Sequence, residues 1–195
     1  MTLAALIGAG SGAMHAVTGP DHVLSLGPAA LRRKRAPWGL GLTWGVGHAL
    51  GTLLLALPAL LLARSAYLSH VAAMSDRIAG VALLLMAIWS ARHLRAASGV
   101  AGVEASGRSP LLVGFVHGVT GAAALVLMLP VLASGSLPVT LAYLCGFAVG
   151  STLAMGALTS ALSLLGGRLR DRVIGIAQRT LLAGAGALGL FWIVG

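Results

Sequence analysis

The sequence predicts an all-α, polytopic membrane protein with six transmembrane helices arranged as two inverted three-helix repeats (3+3). Three observations predict this class. Hydrophobic residues make up 58% of the 195 positions and charged residues only 9%, whereas about a quarter of the residues of a soluble domain are charged. The apolar residues form six segments separated by charged or short polar linkers. Motifs of the first half of the chain also recur in the second half.

Six apolar segments are candidates for membrane helices, which need roughly 20 residues each. They are Leu3–Leu31, Trp38–Ala63, Ile78–Ala91, Pro110–Ala133, Leu137–Leu165 and Val173–Val194. No basic residue precedes the first segment, and it contains His15, Asp21 and His22, so we expect a retained span rather than a signal peptide. The segments leave no room for a soluble catalytic domain, and we treat 1–195 as a single transmembrane domain.

The basic residues predict the orientation of the chain. There are 13 Lys and Arg against four Asp and Glu, a net charge of +9. The positive-inside rule places the linkers rich in Lys and Arg in the cytoplasm. Here these are the first, third and fifth linkers, so both termini are expected outside. Ten cations lie in these linkers: Arg32, Arg33, Lys34, Arg35, Arg92, Arg95, Arg108, Arg168, Arg170 and Arg172, against Arg64 and Arg77 in the second and fourth.

This charge pattern also predicts the partner and the location. Basic residues between apolar segments are typical of loops held against anionic lipid, not of a nucleic-acid surface. We therefore expect the lipid bilayer as partner, no nucleic acid, and a multi-pass position in the cytoplasmic (inner) membrane of a bacterium. A bundle with 28 glycines is also suited to homo-oligomer formation, because glycine lets helices approach closely.

An internal repeat relates the two halves. Met14–Gly19 matches Val116–Gly121, Leu42–Thr52 matches Leu141–Ser151, and Asp76–Val81 matches Asp171–Ile176, at offsets of 102, 99 and 95 residues. Repeat one covers 1–97 and repeat two 108–195. Because each repeat has three spans, the second copy is inverted in the membrane. Many transporters have this architecture, with the binding site at the midplane between the repeats; a structural duplication without a transport role is the alternative.

The first segment carries the polar residues that are most costly in a bilayer. An ionisable residue inside a membrane span is by default a functional candidate, and Asp21 lies between Pro20 and His22. His15 and His22 are seven residues apart, so in a continuous helix they share a face, with Thr18 between them as a supporting hydrogen-bond partner. Gly19-Pro20 loosens the helix just before Asp21 and can turn it toward a cavity.

His48 and His117 are the further candidates. His48 lies beside Gly47 and Gly51, a GxxxG pattern that predicts a close helix contact. In repeat two, Ala122–Ala124 replace Pro20-Asp21-His22 and Phe147 replaces His48, whereas His117 matches His15. Imidazoles with one carboxylate suit nickel, cobalt or zinc. We therefore predict a metal site formed by His15, Asp21, His22 and His48, with His117 as an extra ligand.

His15–His22 followed by Trp44–His48 resembles the nickel/cobalt permease (NicO) group and its UreH-like urease-accessory relatives, within the superfamily of LysE exporters and DsbD/CcdA electron carriers. The resemblance covers essentially the whole chain. It implies a 3+3 transporter in which His15, Asp21 and His22 select the metal and His48 assists. Five residues, Ala16–Pro20, separate His15 from Asp21, where the best-known nickel permeases have four and a second acid, which fits the UreH-like branch better.

We therefore expect a permease that moves a divalent transition-metal cation, nickel or cobalt first and zinc as a further option, by alternating access. The ion is the substrate, and no organic cofactor is expected. The sequence leaves open an exporter of a small solute that uses Asp21 and the histidines as a proton relay, and a membrane accessory protein without transport. The chain has no HExxH and no P-loop, so we expect no enzyme. The lone Cys145 excludes the electron-carrier activity, which needs paired cysteines.

Overall fold

The computed structural model describes residues 1–62, 109–120 and 136–194, together with Met128, Val131 and ten residues between Arg77 and Arg92. Side chains are described for these residues except 57–62, 109 and 120. The described regular elements are all α-helices: α1 (Thr2–Thr18), α2 (Pro20–Ala30), α3 (Pro37–Leu62), α4 (Ser109–Thr120), α5 (Leu137–Arg168) and α6 (Asp171–Val194). The ten residues between 77 and 92 are also helical. Arg64, Arg95 and Arg108 of the predicted linkers lie outside the described residues.

Among the described residues, three helices are long and apolar enough to cross a membrane. They are the Pro37–Ala56 part of α3, with 20 residues and a mean hydropathy of 1.3, α5 with 32 residues and 1.7, and α6 with 24 residues and 1.4. Large apolar side chains such as Leu153 and Phe191 face outward and are more than 60% exposed, as lipid-facing residues are. The prediction of an all-helical protein with apolar helices of membrane-spanning length is confirmed.

The first predicted segment, Leu3–Leu31, is two helices rather than one. Gly19 is extended, with φ −69° and ψ 111°, and separates α1 from α2. Pro20 has no N–H to continue the hydrogen bonding of α1 but is well suited to the first position of a new helix. The expectation that His15 and His22 share one continuous helical face is therefore wrong, whereas the break at Gly19-Pro20 is present.

Glycines bring α1 and α5 into backbone contact along their lengths. A Cβ added at Gly8 or Gly12 of α1 would overlap the carbonyl oxygens of Tyr143 and Phe147. Glycines of α5 make the reciprocal contacts, because a Cβ at Gly146 or Gly150 would overlap the carbonyl oxygens of Ala5 and Ala9. Only glycine fits at such approaches.

The α3–α4 pair packs in the same way. A Cβ at Gly47 or Gly51 would overlap the carbonyl oxygens of Leu111 and Phe115. On the facing helix, a Cβ at Gly114 or Gly118 would overlap those of Trp44 and His48. Helix α3 also packs along α5, and α2 packs along α6. The backbones of α1, α3, α4 and α5 are thus held close together at the centre of the described structure.

Two apolar clusters flank this centre. One contains Ala56, Met128, Tyr143, Leu144 and Phe147. The other contains Ala16, Leu26, Leu40, Trp44 and Met155. The ring of Phe147 lies 5.6 Å from that of His15, and the ring of Trp44 lies 5.6 Å from that of His22. The predicted polar residues therefore lie between two apolar layers.

Candidate metal centre

The break between α1 and α2 positions the acid and one histidine. The backbone N–H of Gly19 donates to the carbonyl of His15 at 3.0 Å, and that of His22 donates to the carbonyl of Gly19 at 3.2 Å. Asp21 and His22 consequently occupy the first turn of α2, and both are buried. A carboxylate is favoured in the first turn of a helix, where the backbone N–H groups carry partial positive charge.

All five predicted residues meet at one buried place. His15 comes from α1, Asp21 and His22 from α2, His48 from α3 and His117 from α4. The ring centroid of His22 lies 4.8 Å from that of His15, 5.2 Å from that of His48 and 5.2 Å from that of His117. His22 and His48 are completely buried, and the other three are at most 8% exposed.

Asp21 connects the histidines of the two halves of the chain. Its Oδ2 lies 2.7 Å from Nε2 of His117, a hydrogen bond between residues 96 positions apart. The same oxygen lies 3.9 Å from Nε2 of His22. Among the described residues, Asp21 is the one acid in contact with the imidazoles, and its negative charge favours a cation at this site.

Several ring nitrogens at the centre are buried without hydrogen bonds. Nε2 of His15 and both ring nitrogens of His48 have no partner among the described residues. An unpaired buried donor or acceptor costs about 1–3 kcal/mol. A bound metal ion gives such a nitrogen a partner, so these groups are arranged as ligands are, rather than as members of a completed hydrogen-bond network.

The spacing of the ligand atoms fits a metal ion after small movements. One group is His15, His22 and His48, the other is Asp21, His22 and His117, and within each group the ligand atoms lie within 4.8 Å of one another. Ligand atoms of a tetrahedral site with bonds near 2.1 Å lie about 3.4 Å apart. The group of Asp21, His22 and His117 by itself combines ligand atoms from both halves of the chain.

Trp44 and Phe147 form the walls of the centre. The Trp44 ring stacks on His48, with centroids 5.2 Å apart and an interplanar angle of 10°, and both walls are 1% exposed. Trp44 is not among the site residues that the sequence predicts. The signal was its position four residues before His48, which places both on one face of α3.

Thr18, predicted to support the histidines, does not lie at the centre. It is exposed, and its hydroxyl donates to the carbonyl of Met14 at 2.8 Å within α1. The predicted role is wrong because the side chain of Thr18 is exposed, whereas the histidines are buried.

The fold and the site define a class: a helical membrane protein with a buried cluster of four histidines and one aspartate. Two curated proteins are similar to the chain. Chloroplast protein FOR GROWTH AND FERTILITY 1 of Arabidopsis thaliana is 28% identical over 202 residues, covering 92% of this chain and 55% of the relative. Chloroplast protein FOR GROWTH AND FERTILITY 2 of the same plant is 28% identical over 184 residues, covering 87% and 49%.

The chain therefore spans about half the length of the curated relatives it matches. No family model matches the chain, and no solved structure matches it.

Proposed function

We propose that the protein is a membrane permease for a divalent transition-metal cation, nickel or cobalt first and zinc as a further option. The observation that carries the proposal is the convergence of four imidazoles and one carboxylate from four helices, in which buried ring nitrogens of His15 and His48 have no hydrogen-bond partner among the described residues. A buried polar cluster of this kind is costly in a membrane protein unless it serves a function. The resemblance to the NicO group and its UreH-like branch agrees with this reading.

We also propose the inverted 3+3 repeat as the framework, and the helix pairing supports it. Helices α1 and α4 contain the first spans of the two repeats, and α3 and α5 contain the second spans. Exchanging the repeats converts the α1–α5 pair into the α4–α3 pair, and both pairs pack through glycines. His15 and His117 occupy matching positions, so one ligand comes from each first span.

The two pairs differ by one helical turn, which supports alternating access. Under the repeat, Gly12 corresponds to Gly114 and Phe147 to His48. Gly12 packs on the carbonyl of Phe147, but the glycine that packs on the carbonyl of His48 is Gly118, four residues beyond Gly114. Four residues are about 6 Å along a helix. An exchange of registers between the pairs would open the site to the other side of the membrane.

Each site residue has a part in this mechanism. The carboxylate of Asp21 attracts the ion, and the imidazoles of His15, His22 and His48 replace its water. When the ion binds, the hydrogen bond between His117 and Asp21 is broken or is shared with the ion. This change couples the ligand of repeat two to the ligands of repeat one. Trp44 and Phe147 exclude water from the centre.

We place the chain in the cytoplasmic membrane of a bacterium with both termini outside. The contact between two basic connecting segments supports the proposed orientation. The 32–35 linker and the α5–α6 turn, both expected on the cytoplasmic side, lie together, since the Ser163 hydroxyl donates to the carbonyl of Arg33. The two relatives are chloroplast proteins by name, so a plastid membrane is the second location that this charge pattern fits.

A second candidate function is an exporter of a small solute driven by protons. The 2.7 Å hydrogen bond between Asp21 and His117 favours it, because such a pair can hold and pass a proton. The two proposals differ in a simple way: only the permease needs the four imidazoles to bind a metal ion.

The test is metal binding by the purified chain in detergent, followed as the change in melting temperature with nickel, cobalt or zinc. We expect the wild type to be stabilised, and Asp21→Asn and His22→Ala to lose most of this effect. Asp171→Asn is the matched control, since Asp171 also lies in the first turn of a helix but outside the centre. Absence of a shift with all three metals, or an equal loss in the control, would refute the proposed metal site.

A further inference from the structure

A second site lies at the end of the bundle, away from the histidines. The 32–35 linker, the last turns of α5 and the first turn of α6 enclose a cavity of about 660 Å³. Four cations line it, Arg32, Arg33, Lys34 and Arg168, against one carboxylate, that of Asp171. This excess of positive charge in a concave surface is the arrangement that binds anions.

The wall of the cavity formed by Arg32 is held in place by two linked hydrogen bonds, one part-buried and one buried. Nε of Arg32 donates to Oε1 of Gln178 at 3.0 Å, and Nε2 of Gln178 donates to the carbonyl of Pro28 at 2.6 Å. Gln178 is 2% exposed. The guanidinium is therefore positioned by α2 and α6 before any ligand arrives, which lowers the entropy lost on binding.

The wall formed by α5 contacts the backbone of the linker. The hydroxyl of Ser163 donates to the carbonyl of Arg33, and a Cβ at Gly166 would overlap the carbonyl oxygen of Leu31. These contacts fix the linker against α5, so Arg33 and Lys34 lie on the same cavity as Arg168.

The positive charges of the cavity are not neutralised by the described part of the chain. Within residues 1–62, 109–120 and 136–194, none of the four lining cations forms an ion pair. Arginine donors that are already oriented suit phosphate, whose oxygens accept several charge-assisted hydrogen bonds at once. The ligand chemistry indicated is therefore a phosphate group.

The surroundings indicate that this phosphate belongs to a lipid. The cavity lies where the apolar α5 ends at Arg168 and the apolar α6 begins at Asp171. Leu164, which lines the cavity, is 69% exposed, and Leu165, the next residue of α5, is 50% exposed. Exposed apolar residues directly beside a basic cavity fit acyl chains attached to a phosphate headgroup.

We propose that this cavity binds the headgroup of an anionic phospholipid, with the phosphate among Arg32, Arg33, Lys34 and Arg168 and the acyl chains along the exposed leucines. The proposal is independent of metal transport, since none of these residues belongs to the histidine cluster. Phosphatidylglycerol is the probe, because its headgroup carries a single net negative charge on one phosphate.

The experiment is native mass spectrometry of the full chain in detergent with added lipid. The pocket variant is Arg33→Gln/Lys34→Gln/Arg168→Gln. The matched control is Arg35→Gln/Arg170→Gln/Arg172→Gln, which removes the same charge from the same two connecting segments outside the cavity lining. Arg32 is kept, because its hydrogen bond to Gln178 supports the fold; melting temperatures of both variants check that they fold like the wild type.

We expect phosphatidylglycerol to bind the wild type at least tenfold more tightly than phosphatidylcholine, the pocket variant to lose about tenfold, and the control to lose less than threefold. Equal losses in the two variants would show that the whole basic surface, not the cavity, attracts lipid. Inorganic phosphate that competes at the same concentration as the lipid would show a site for a soluble anion. Equal binding of the two lipids would overturn the proposal outright.

Discussion

Replacing His48 by leucine separates a metal ligand from a structural residue. His48 is completely buried, and neither ring nitrogen has a hydrogen-bond partner among the described residues. Leaving such a group unpaired costs about 1–3 kcal/mol, whereas the loss of ring stacking with Trp44 or His15 costs about 0.5–1.5 kcal/mol for each pair. Leucine has a volume close to that of histidine. Because two ring pairs are lost, the gain and the loss are of similar size, and we expect the unfolding free energy of the metal-free His48→Leu protein to lie within about 2 kcal/mol of the wild type.

The same substitution is expected to weaken metal binding. At a metal concentration of 100 times Kd, binding stabilises a protein by about 2.7 kcal/mol. If His48→Leu raises Kd tenfold, the stabilisation at that concentration falls to about 1.4 kcal/mol. Denaturant titration in detergent, with and without nickel, gives the metal-free unfolding free energy and the stabilisation by the metal from one preparation.

His117→Leu is the contrasting variant. His117 is hydrogen-bonded to Asp21 at 2.7 Å, so its removal leaves a buried carboxylate without this partner, which costs about 3–5 kcal/mol. The His117→Leu protein is thus expected to lose about 3–5 kcal/mol of metal-free stability, whereas that of His48→Leu changes by at most about 2 kcal/mol. A metal-free His48→Leu protein that is destabilised as much as His117→Leu, with an unchanged response to nickel, would show that His48 is structural.

Three further substitutions test the helix contacts. Gly118→Ala places a Cβ on the carbonyl oxygen of His48 and is expected to lower the unfolding free energy by about 1–3 kcal/mol. Gly39→Ala is the control, because no atom of the described residues lies within 4 Å of its added Cβ, and it is expected to raise the unfolding free energy by about 0.5–1 kcal/mol. Equal thermal shifts for the two would contradict the backbone contact. Gln178→Leu leaves the carbonyl of Pro28 without its buried hydrogen bond. It is expected to reduce the unfolding free energy by about 1–3 kcal/mol and so to lower the melting temperature. An unchanged melting temperature would show that the hydrogen bond does not hold α2 to α6.

The apolar pattern predicted the long helices closely. The segment Trp38–Ala63 is α3, Pro37–Leu62, and Leu137–Leu165 is the larger part of α5. Helix α5 continues to Arg168 because the chain turns only at Leu169, which is extended. Apolar composition ends where charge begins, but a helix can carry basic residues in its last turn, where they interact well with its dipole.

The meeting of the site residues depends on contacts that no local pattern contains. Asp21 and His117 are 96 positions apart, and the internal repeat is the one sequence feature that relates them. The one-turn difference between the α1–α5 and α3–α4 pairs could not be predicted, because glycines spaced every four residues fit either register equally well.

Transport itself is tested most directly with the purified chain in liposomes that contain a metal-sensitive dye. Nickel or cobalt is added outside, and the rate of dye response is compared for wild type, Asp21→Asn and protein-free liposomes. The proposed permease predicts a wild-type rate well above that of protein-free liposomes and at least a tenfold decrease in Asp21→Asn. A wild-type rate equal to that of protein-free liposomes with both metals would contradict the proposed function.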